Sequence, residues 1–257
     1  MFRLMNSSVR RYMVSAYSLF GNSVIINEFP KSGGTWLGQM LSDLLLLPFP
    51  RNRIPTSSKV ILHGHYINNI KRDKTIIVWR DGRDVLISWY FHSLFYNNVK
   101  NKLLVDDVRF RLKFSNFENL SENLVDFIEY TFTNQVHPKF SWSQFVDRWY
   151  SDDTVLHVKY EDLRSNTISE LSRLVEHLSD EVFSHSKISS VVDKFSFERQ
   201  SGRRPGVEKK NNFMRKGIVG DWKNQFDLNS RKAFDFYAGD SLIKLGYEFN
   251  HNWVKSD

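Results

Sequence analysis

Apolar and polar positions alternate between two kinds of run along the chain. Short, nearly continuous apolar stretches read as buried strands at Val24–Phe29, Lys59–Leu62, Thr75–Trp79 and Val155–Val158. Between them lie segments of helical spacing. Thr35–Leu46 can place Trp36, Met40 and Leu44 on one face with Leu47 beyond, and Asp84–Tyr96 carries Val85, Trp89 and His92 on related faces. Trp142–Tyr150 is a third such segment. In Thr167–Leu178 the apolar residues fall at Ile168, Leu171, Leu174, Val175 and Leu178, a good amphipathic pattern. Phe234, Tyr237, Ala238, Leu242 and Leu245 mark a final helix. The stretch from Lys100 to Phe140 is polar and aromatic, and reads as helical with long loops. Strands alternating with helices predict an α/β fold with a central, mainly parallel sheet. Glu198–Gly220 breaks the pattern: it is rich in Gly, Arg and Lys, poor in aliphatics, and reads as a long mobile loop.

Length and composition narrow this picture. At 257 residues the chain is read as one domain, 1–257, with 1–20 as an N-terminal extension. Hydrophobic residues make up 41% and aromatic residues 15%, enough for a sizeable core and too much for a disordered chain. The net charge of +7 suits an anionic ligand without choosing among ligand, nucleic acid and acidic membrane. There are no cysteines, which excludes disulfides, a thiolate nucleophile and cysteine-based metal centres. The longest apolar run, Leu44–Phe49, contains Pro48 and is far too short to span a bilayer. The expectation is a cytoplasmic protein with no transmembrane segment.

Three segments carry anion-binding chemistry. In the first, a strand ends, Pro30-Lys31-Ser32-Gly33-Gly34-Thr35-Trp36 follows, and a helix begins. Backbone amides of such a loop and of the first helical turn can cradle an anion. Lys31 adds a point charge, and Ser32 and Thr35 add hydroxyl donors. The plain alternative is a turn with Thr35 as the helix N-cap. Lys31 precedes the glycines, so the loop is not the G-x-x-x-x-G-K-[ST] of ordinary ATP or GTP hydrolases. In the second segment Arg80 ends a strand and Ser88 lies eight residues on, a fork and a hydroxyl suited to a terminal phosphate. The alternative there is an Arg80–Asp84 ion pair. Arg83 is read as an exposed residue in a salt bridge. The third segment is Phe213 to Trp222, with Arg215, Lys216 and Gly217 in a glycine-bearing basic loop that could close over a polyanion.

Together these segments resemble the cytosolic-type sulfotransferases, which use 3′-phosphoadenosine 5′-phosphosulfate (PAPS). Pro30–Trp36 is similar to the family loop P-K-S-G-T-T-W, here P-K-S-G-G-T-W. Arg80 and Ser88 match its Arg-x7-Ser pair, and Phe213–Asn224 matches F-x-R-K-G-x-x-G-D-W-K-N. Tyr160-Glu161-Asp162-Leu163 resembles Y-E-D-[LM], and Phe195-Ser196-Phe197 resembles T-S-F. The resemblance spans Val24 to Phe226 in family order.

It implies transfer of a sulfuryl group from PAPS to a hydroxyl or amine without a metal. It assigns the 3′-phosphate to Arg80 and Ser88, and the nucleotide more widely to Lys31–Trp36, Tyr160, Ser196, Phe197, Phe213 and Arg215–Gly217. Lys31 is expected at the oxygen bridging sulfate and phosphate. The family base is the His of K-[TS]-H. Here the stretch reads His63-Gly64-His65, so His65 is aligned with the base and His63 takes the place of the lysine. The family dimer pattern K-x-x-x-T-V-x-x-x-E reads Lys223, Asp227, Leu228 and Lys232, so that assembly is not carried over and the oligomeric state stays open. The acceptor, whether small molecule, lipid or carbohydrate, is not legible; Tyr90–Phe140 is the expected pocket wall. Nucleic acid is not an expected partner. A nucleotide or adenylyl-sulfate kinase should carry a Walker A loop, and a nonenzymatic polyanion binder gives no reason for the clustered histidines.

Overall fold

A computed structural model describes residues 9, 12, 13, 16, 17, 23–51, 53–55, 57, 59–68, 70, 74–96, 102–134 and 138–255. Most of the expected N-terminal extension therefore lies outside the described residues. The chain divides into two compact units, one of Met1–Arg80 with Asp152–Gln200 and the other of Asp81–Ser151 with Ser201–Asp257.

The first unit holds the sheet: β1 (Val24–Glu28), β2 (Ile61–Gly64), β3 (Thr75–Trp79) and β4 (Leu156–Lys159), in the order β2-β1-β3-β4 with every pairing parallel. The fold is α/β with a central parallel sheet, as the alternation of runs predicts. β1, β2 and β3 are buried along their whole length, which explains their mainly apolar character and leaves Asn27, Glu28 and His63 as buried polar residues. Helices α1 (Gly34–Leu45), α7 (Thr167–Leu178) and α8 (His185–Lys194) pack against one face. That core joins Ile26, Ile76 and Val158 of the sheet to Leu37, Met40, Leu41, Leu174 and Ile188 of the helices. Ile25 and Leu62, paired in register, belong to a smaller cluster with Val60, Tyr17 and Tyr66. A short α6 (Tyr160–Ser165) follows β4, and α9 (Phe197–Ser201) follows α8.

The second unit is helical: α2 (Gly82–Phe91), a π-helical turn His92–Tyr96, α3 (Lys102–Leu112), α4 (Leu120–Thr133), α5 (Trp142–Trp149) and α10 (Leu228–Lys244), with 3-10 turns at Asp221–Asn224 and His251–Lys255. α10 packs on α4 and α5. The aromatic stretch expected to wall a pocket supplies much of this unit's core. Tyr90 and Phe127 are fully buried with ring centroids 4.9 Å apart, and the Tyr90 hydroxyl donates to the Phe117 carbonyl at 2.7 Å.

Two local expectations need correction. The second strand is Ile61–Gly64 rather than Lys59–Leu62, because parallel pairing with β1 continues from Val24↔Ile61 to Asn27↔Gly64. His63 therefore lies inside a strand and only His65 follows it. Arg83 is not exposed. It is 1% accessible, forked onto Asp81 and bonded to Glu248.

Candidate functional site

The strand order reverses around β1: β2 lies on one side of it and β3 on the other. In open α/β sheets the crevice at such a reversal, beyond the carboxyl ends of the strands, is where ligands bind. The chain leaves β1 through Phe29–Gly33 and leaves β3 through Arg80, so the first two candidate segments start at that edge. They are joined directly: Arg80 Nη1 donates to the Lys31 carbonyl at 3.0 Å.

The loop between β1 and α1 is tightly specified. Lys31 has φ 77°, a left-handed conformation that costs a non-glycine residue roughly 1–2 kcal/mol. Gly33 has φ 104° and is the N-cap of α1, with no side-chain cap. A Cβ on Gly33 would lie 2.6 Å from Tyr160 Cδ2. The helix thus begins before Thr35, and Thr35 is a buried residue of its first turn rather than the cap. The Ser32 hydroxyl is buried and has no hydrogen-bond partner among the described residues. Buried polar groups are normally satisfied, so an orphaned hydroxyl beside a helix N-terminus fits an anionic ligand such as the phosphosulfate of PAPS.

Aromatic residues stand beside this loop. Trp36 and Tyr160 meet edge to face with centroids 6.2 Å apart, and the Arg80 guanidinium lies 4.4 Å over the Tyr160 ring. Trp36 Nε1 donates to the Phe195 carbonyl at 2.8 Å, which ties the Phe195–Phe197 segment to α1. Ser196 sits just before α9, where its hydroxyl accepts from the Arg199 amide, and Phe197 is buried.

The two histidines are organised by Glu28, which pattern reading overlooked. His63 Nε2 lies 2.8 Å from Glu28 Oε1. Glu28 Oε2 accepts from the Gly34 amide at 2.5 Å. His65 Nδ1 lies 2.8 Å from the Glu28 carbonyl oxygen. A carbonyl oxygen can only accept, so Nδ1 of His65 carries hydrogen and the neutral ring keeps its lone pair on Nε2. Burial opposes ionisation of Glu28, but the hydrogen bond from His63, the nearby charges of His63 and His65 and the Gly34 amide outweigh it. The carboxyl is held below its ordinary range. Asn27 fixes the chain after β2 by donating to the Tyr66 carbonyl at 2.9 Å and accepting the Tyr66 amide at 2.7 Å. One signal was available for Glu28: a carboxylate ending an otherwise uncharged strand, shortly before a glycine loop.

The remaining candidates belong to the second unit. Ser88 is half-buried on α2. Phe213 meets His92 edge to face, with centroids 6.4 Å apart. Arg215 lies 4.7 Å over the Phe91 ring and bonds Glu208 and Asp221, and Lys216 bonds the same Asp221 at 2.6 Å. Gly217 and Gly220 have φ 66° and 77°. The segment read as a mobile loop has little regular structure, yet it is cross-linked: Arg203 donates to the carbonyls of Val207, Met214 and Arg215. Asp84 serves this segment too, accepting the amides of Gly220 at 2.7 Å and Trp222 at 3.0 Å.

Comparison with known proteins identifies the family. The family model described as "Sulfotransferase domain" matches residues 68–246. The rat (Rattus norvegicus) Sulfotransferase 1A1 is 23% identical over 280 residues, covering 91% of this chain and 89% of its own. The Arabidopsis thaliana Cytosolic sulfotransferase 7 is 26% identical over 267 residues, covering 82% and 76%. The crystal structure of mouse sulfotransferase SULT7A1 complexed with PAP superposes with a TM-score of 0.68 at 17% identity, covering 98% of this chain and 94% of that one. A retinol dehydratase in complex with androsterone and PAP has a TM-score of 0.60 at 14% identity, covering 91% and 85%.

Proposed function

Because the chain belongs to the sulfotransferase domain family, we propose that it transfers a sulfuryl group from PAPS to a hydroxyl or amine of a small-molecule, lipid or carbohydrate acceptor. The observation that carries this reading is the Arg80–Lys31 hydrogen bond, which joins two anion-binding segments at the carboxyl ends of β1 and β3. The orphaned Ser32 hydroxyl supports it.

The residues divide the work by their chemistry. Ser32, the amides of the Gly33–Thr35 turn and Lys31 hold the phosphosulfate of the donor substrate. By the resemblance, the 3′-phosphate falls to Arg80 and Ser88, and the nucleotide more widely to Trp36, Tyr160, Ser196, Phe197, Phe213 and Arg215–Gly217. His65 is the general base: the lone pair on Nε2 takes the acceptor proton as the acceptor oxygen or nitrogen bonds to sulfur. The sulfur–oxygen bond to the phosphate breaks, and Lys31 offsets the charge that grows on the leaving oxygen. His63 is less suited to the task, since it is buried inside β2, whereas His65 follows the strand and is half-buried.

Calorimetry with PAP, the desulfonated product nucleotide, tests the donor half. Submillimolar binding that ATP does not reproduce is expected. Equal binding of ATP would leave Arg80 and Ser88 without a selective role and defeat the reading. A screen of phenols, sterols, amines and sugars with sulfur-labelled PAPS then identifies the acceptor.

A further inference from the structure

Glu28 makes three contacts with three chemically distinct parts of the site. Its carboxylate holds His63 through Oε1 and the Gly34 amide through Oε2, and its main-chain carbonyl holds His65. The carboxyl is 5% exposed. The titratable groups around it are His63 from β2 and His65 immediately after that strand; the rings of the two lie 5.4 Å apart at 81°. Phe49 presents a ring edge to His63 from the other side.

Glu28 and Gly34 also form one steric arrangement. A Cβ on Gly34 would lie 2.9 Å from the Glu28 carboxyl carbon and 2.9 Å from Ile26 Cγ2. The P-K-S-G-T-T-W pattern places a threonine at this position; here its Cβ would require the Glu28 carboxyl or the Ile26 methyl to shift. Three features of this chain thus meet at one point: glycine at 34, histidine at 63 where the pattern has lysine, and the carboxylate that contacts both.

We propose that Glu28 is a positioning residue for the reaction: its carboxylate fixes His63 and the Gly34 amide, its carbonyl fixes the tautomer of His65, and its charge favours the imidazolium formed when His65 takes a proton. This rests on the assignment of His65 as base. The charge has an opposite effect on the donor substrate. An anion in the Lys31–Thr35 cradle meets a nearby carboxylate, and the Gly34 amide, a natural anion donor, is already engaged. Glu28 therefore strengthens the base and weakens the hold on the nucleotide.

The test is NMR titration of 15N-histidine-labelled protein, as wild type, Glu28→Gln and Glu28→Asp, with His63→Asn and His65→Asn for assignment. PAP calorimetry runs alongside. In the wild type, neutral His65 should carry hydrogen on Nδ1 and His63 on Nε2. Glu28→Gln should lower the His65 midpoint, since the carboxylate charge that interacts with His65 is removed, and should tighten PAP binding several-fold. Glu28→Asp, which keeps the charge, should recover at least half of the histidine shift. A wild-type His65 protonated on Nε2, or an unchanged midpoint in folded Glu28→Gln, overturns the proposal. Should Glu28→Gln not fold, the wild-type tautomers and the Glu28→Asp titration decide. Failure of the wild type to bind PAP is a separate result: it overturns the nucleotide reading, while the histidine titration still decides the role of Glu28.

Discussion

The guanidinium carbon of Arg83 lies 3.5 Å above the ring of Trp222. Trp253 covers it at 4.6 Å, while Asp81 takes a two-point hydrogen bond and Glu248 a third contact. A buried cation is tolerated because its donors meet carboxylates and its guanidinium carbon lies over aromatic rings. Through this one side chain, the start of α2 is tied to the 3-10 turn that ends the Phe213–Trp222 segment and to the C-terminal turn.

Arg83→Ala should therefore destabilise the protein by about 3–5 kcal/mol, because it strands the buried carboxylate of Asp81 and leaves the half-buried Glu248 unpaired, rather than merely removing a surface pair. Arg83→Lys should recover little of this, since an ammonium cannot fork onto Asp81 through two parallel hydrogen bonds. Urea denaturation followed by tryptophan fluorescence measures both. A loss under 1 kcal/mol for the alanine variant would mean that the charge is not supporting the packing.

Asp221 pairs with both Arg215 and Lys216. Asp221→Asn should loosen the segment from Arg203 to Trp222 and speed tryptic cleavage within it, with a smaller effect on cleavage elsewhere. PAP should restore protection, if its phosphate replaces the lost carboxylate as partner to the two cations. Limited proteolysis followed by mass spectrometry reads the cut sites. Unchanged cleavage in the variant would show that Arg203 and its three carbonyl partners hold the segment alone.

The parts of this molecule that follow local periodicity were legible from the chain. β3 at Thr75–Trp79 and α7 at Thr167–Leu178 have the bounds their apolar spacing predicts. α8 was not legible, because His185–Lys194 offers only Ile188 and Val191 to the core and its start is marked by a Ser184 cap. β2 was misplaced because strand ends are decided by the partner strand: His63 pairs with Ile26 of β1. Arg83 was misread for a related reason. Its burial depends on Trp222, Glu248 and Trp253, which are 139 or more positions away and invisible to a local window. The anion segments were legible as motifs; the carboxylate that organises the histidines was not, because its meaning lies in contacts across the sheet.

Acid stability follows from two carboxylates. Burial pushes Asp221 up, but its bonds to Lys216 and Arg215 outweigh this and hold it below its ordinary value, and Glu28 is likewise held down by His63, His65 and Gly34. A carboxyl depressed in the folded state contributes stability that is complete above the unfolded pKa and is lost as pH falls through the folded one. The window therefore opens near the ordinary values of 4.5 for Glu28 and 3.8 for Asp221 and extends below them. Melting temperatures of wild type, Glu28→Gln and Asp221→Asn between pH 7 and pH 3 should converge as pH falls. Parallel curves would mean that neither carboxylate carries the acid sensitivity.

Lys31 holds a left-handed backbone at the edge of the candidate site, and such strain is retained where the surroundings enforce it. Charge on the leaving phosphate grows only as the sulfur–oxygen bond breaks, so a cation aimed at it acts mostly in the transition state. Lys31→Ala should lower kcat by roughly 10²–10³, the usual cost of one such donor, with a smaller change in PAP affinity. His65→Ala should lose about 10²–10⁴ through the missing base. The two defects separate by acceptor: one of lower pKa needs less help with its proton, so it should partly rescue His65→Ala and leave Lys31→Ala slow. His63→Ala should retain the acceptor dependence of the wild type, because His63 is buried within β2 and serves Glu28. If instead His63→Ala shows the acceptor-dependent loss and His65→Ala turns over normally, the base lies two residues earlier in the chain.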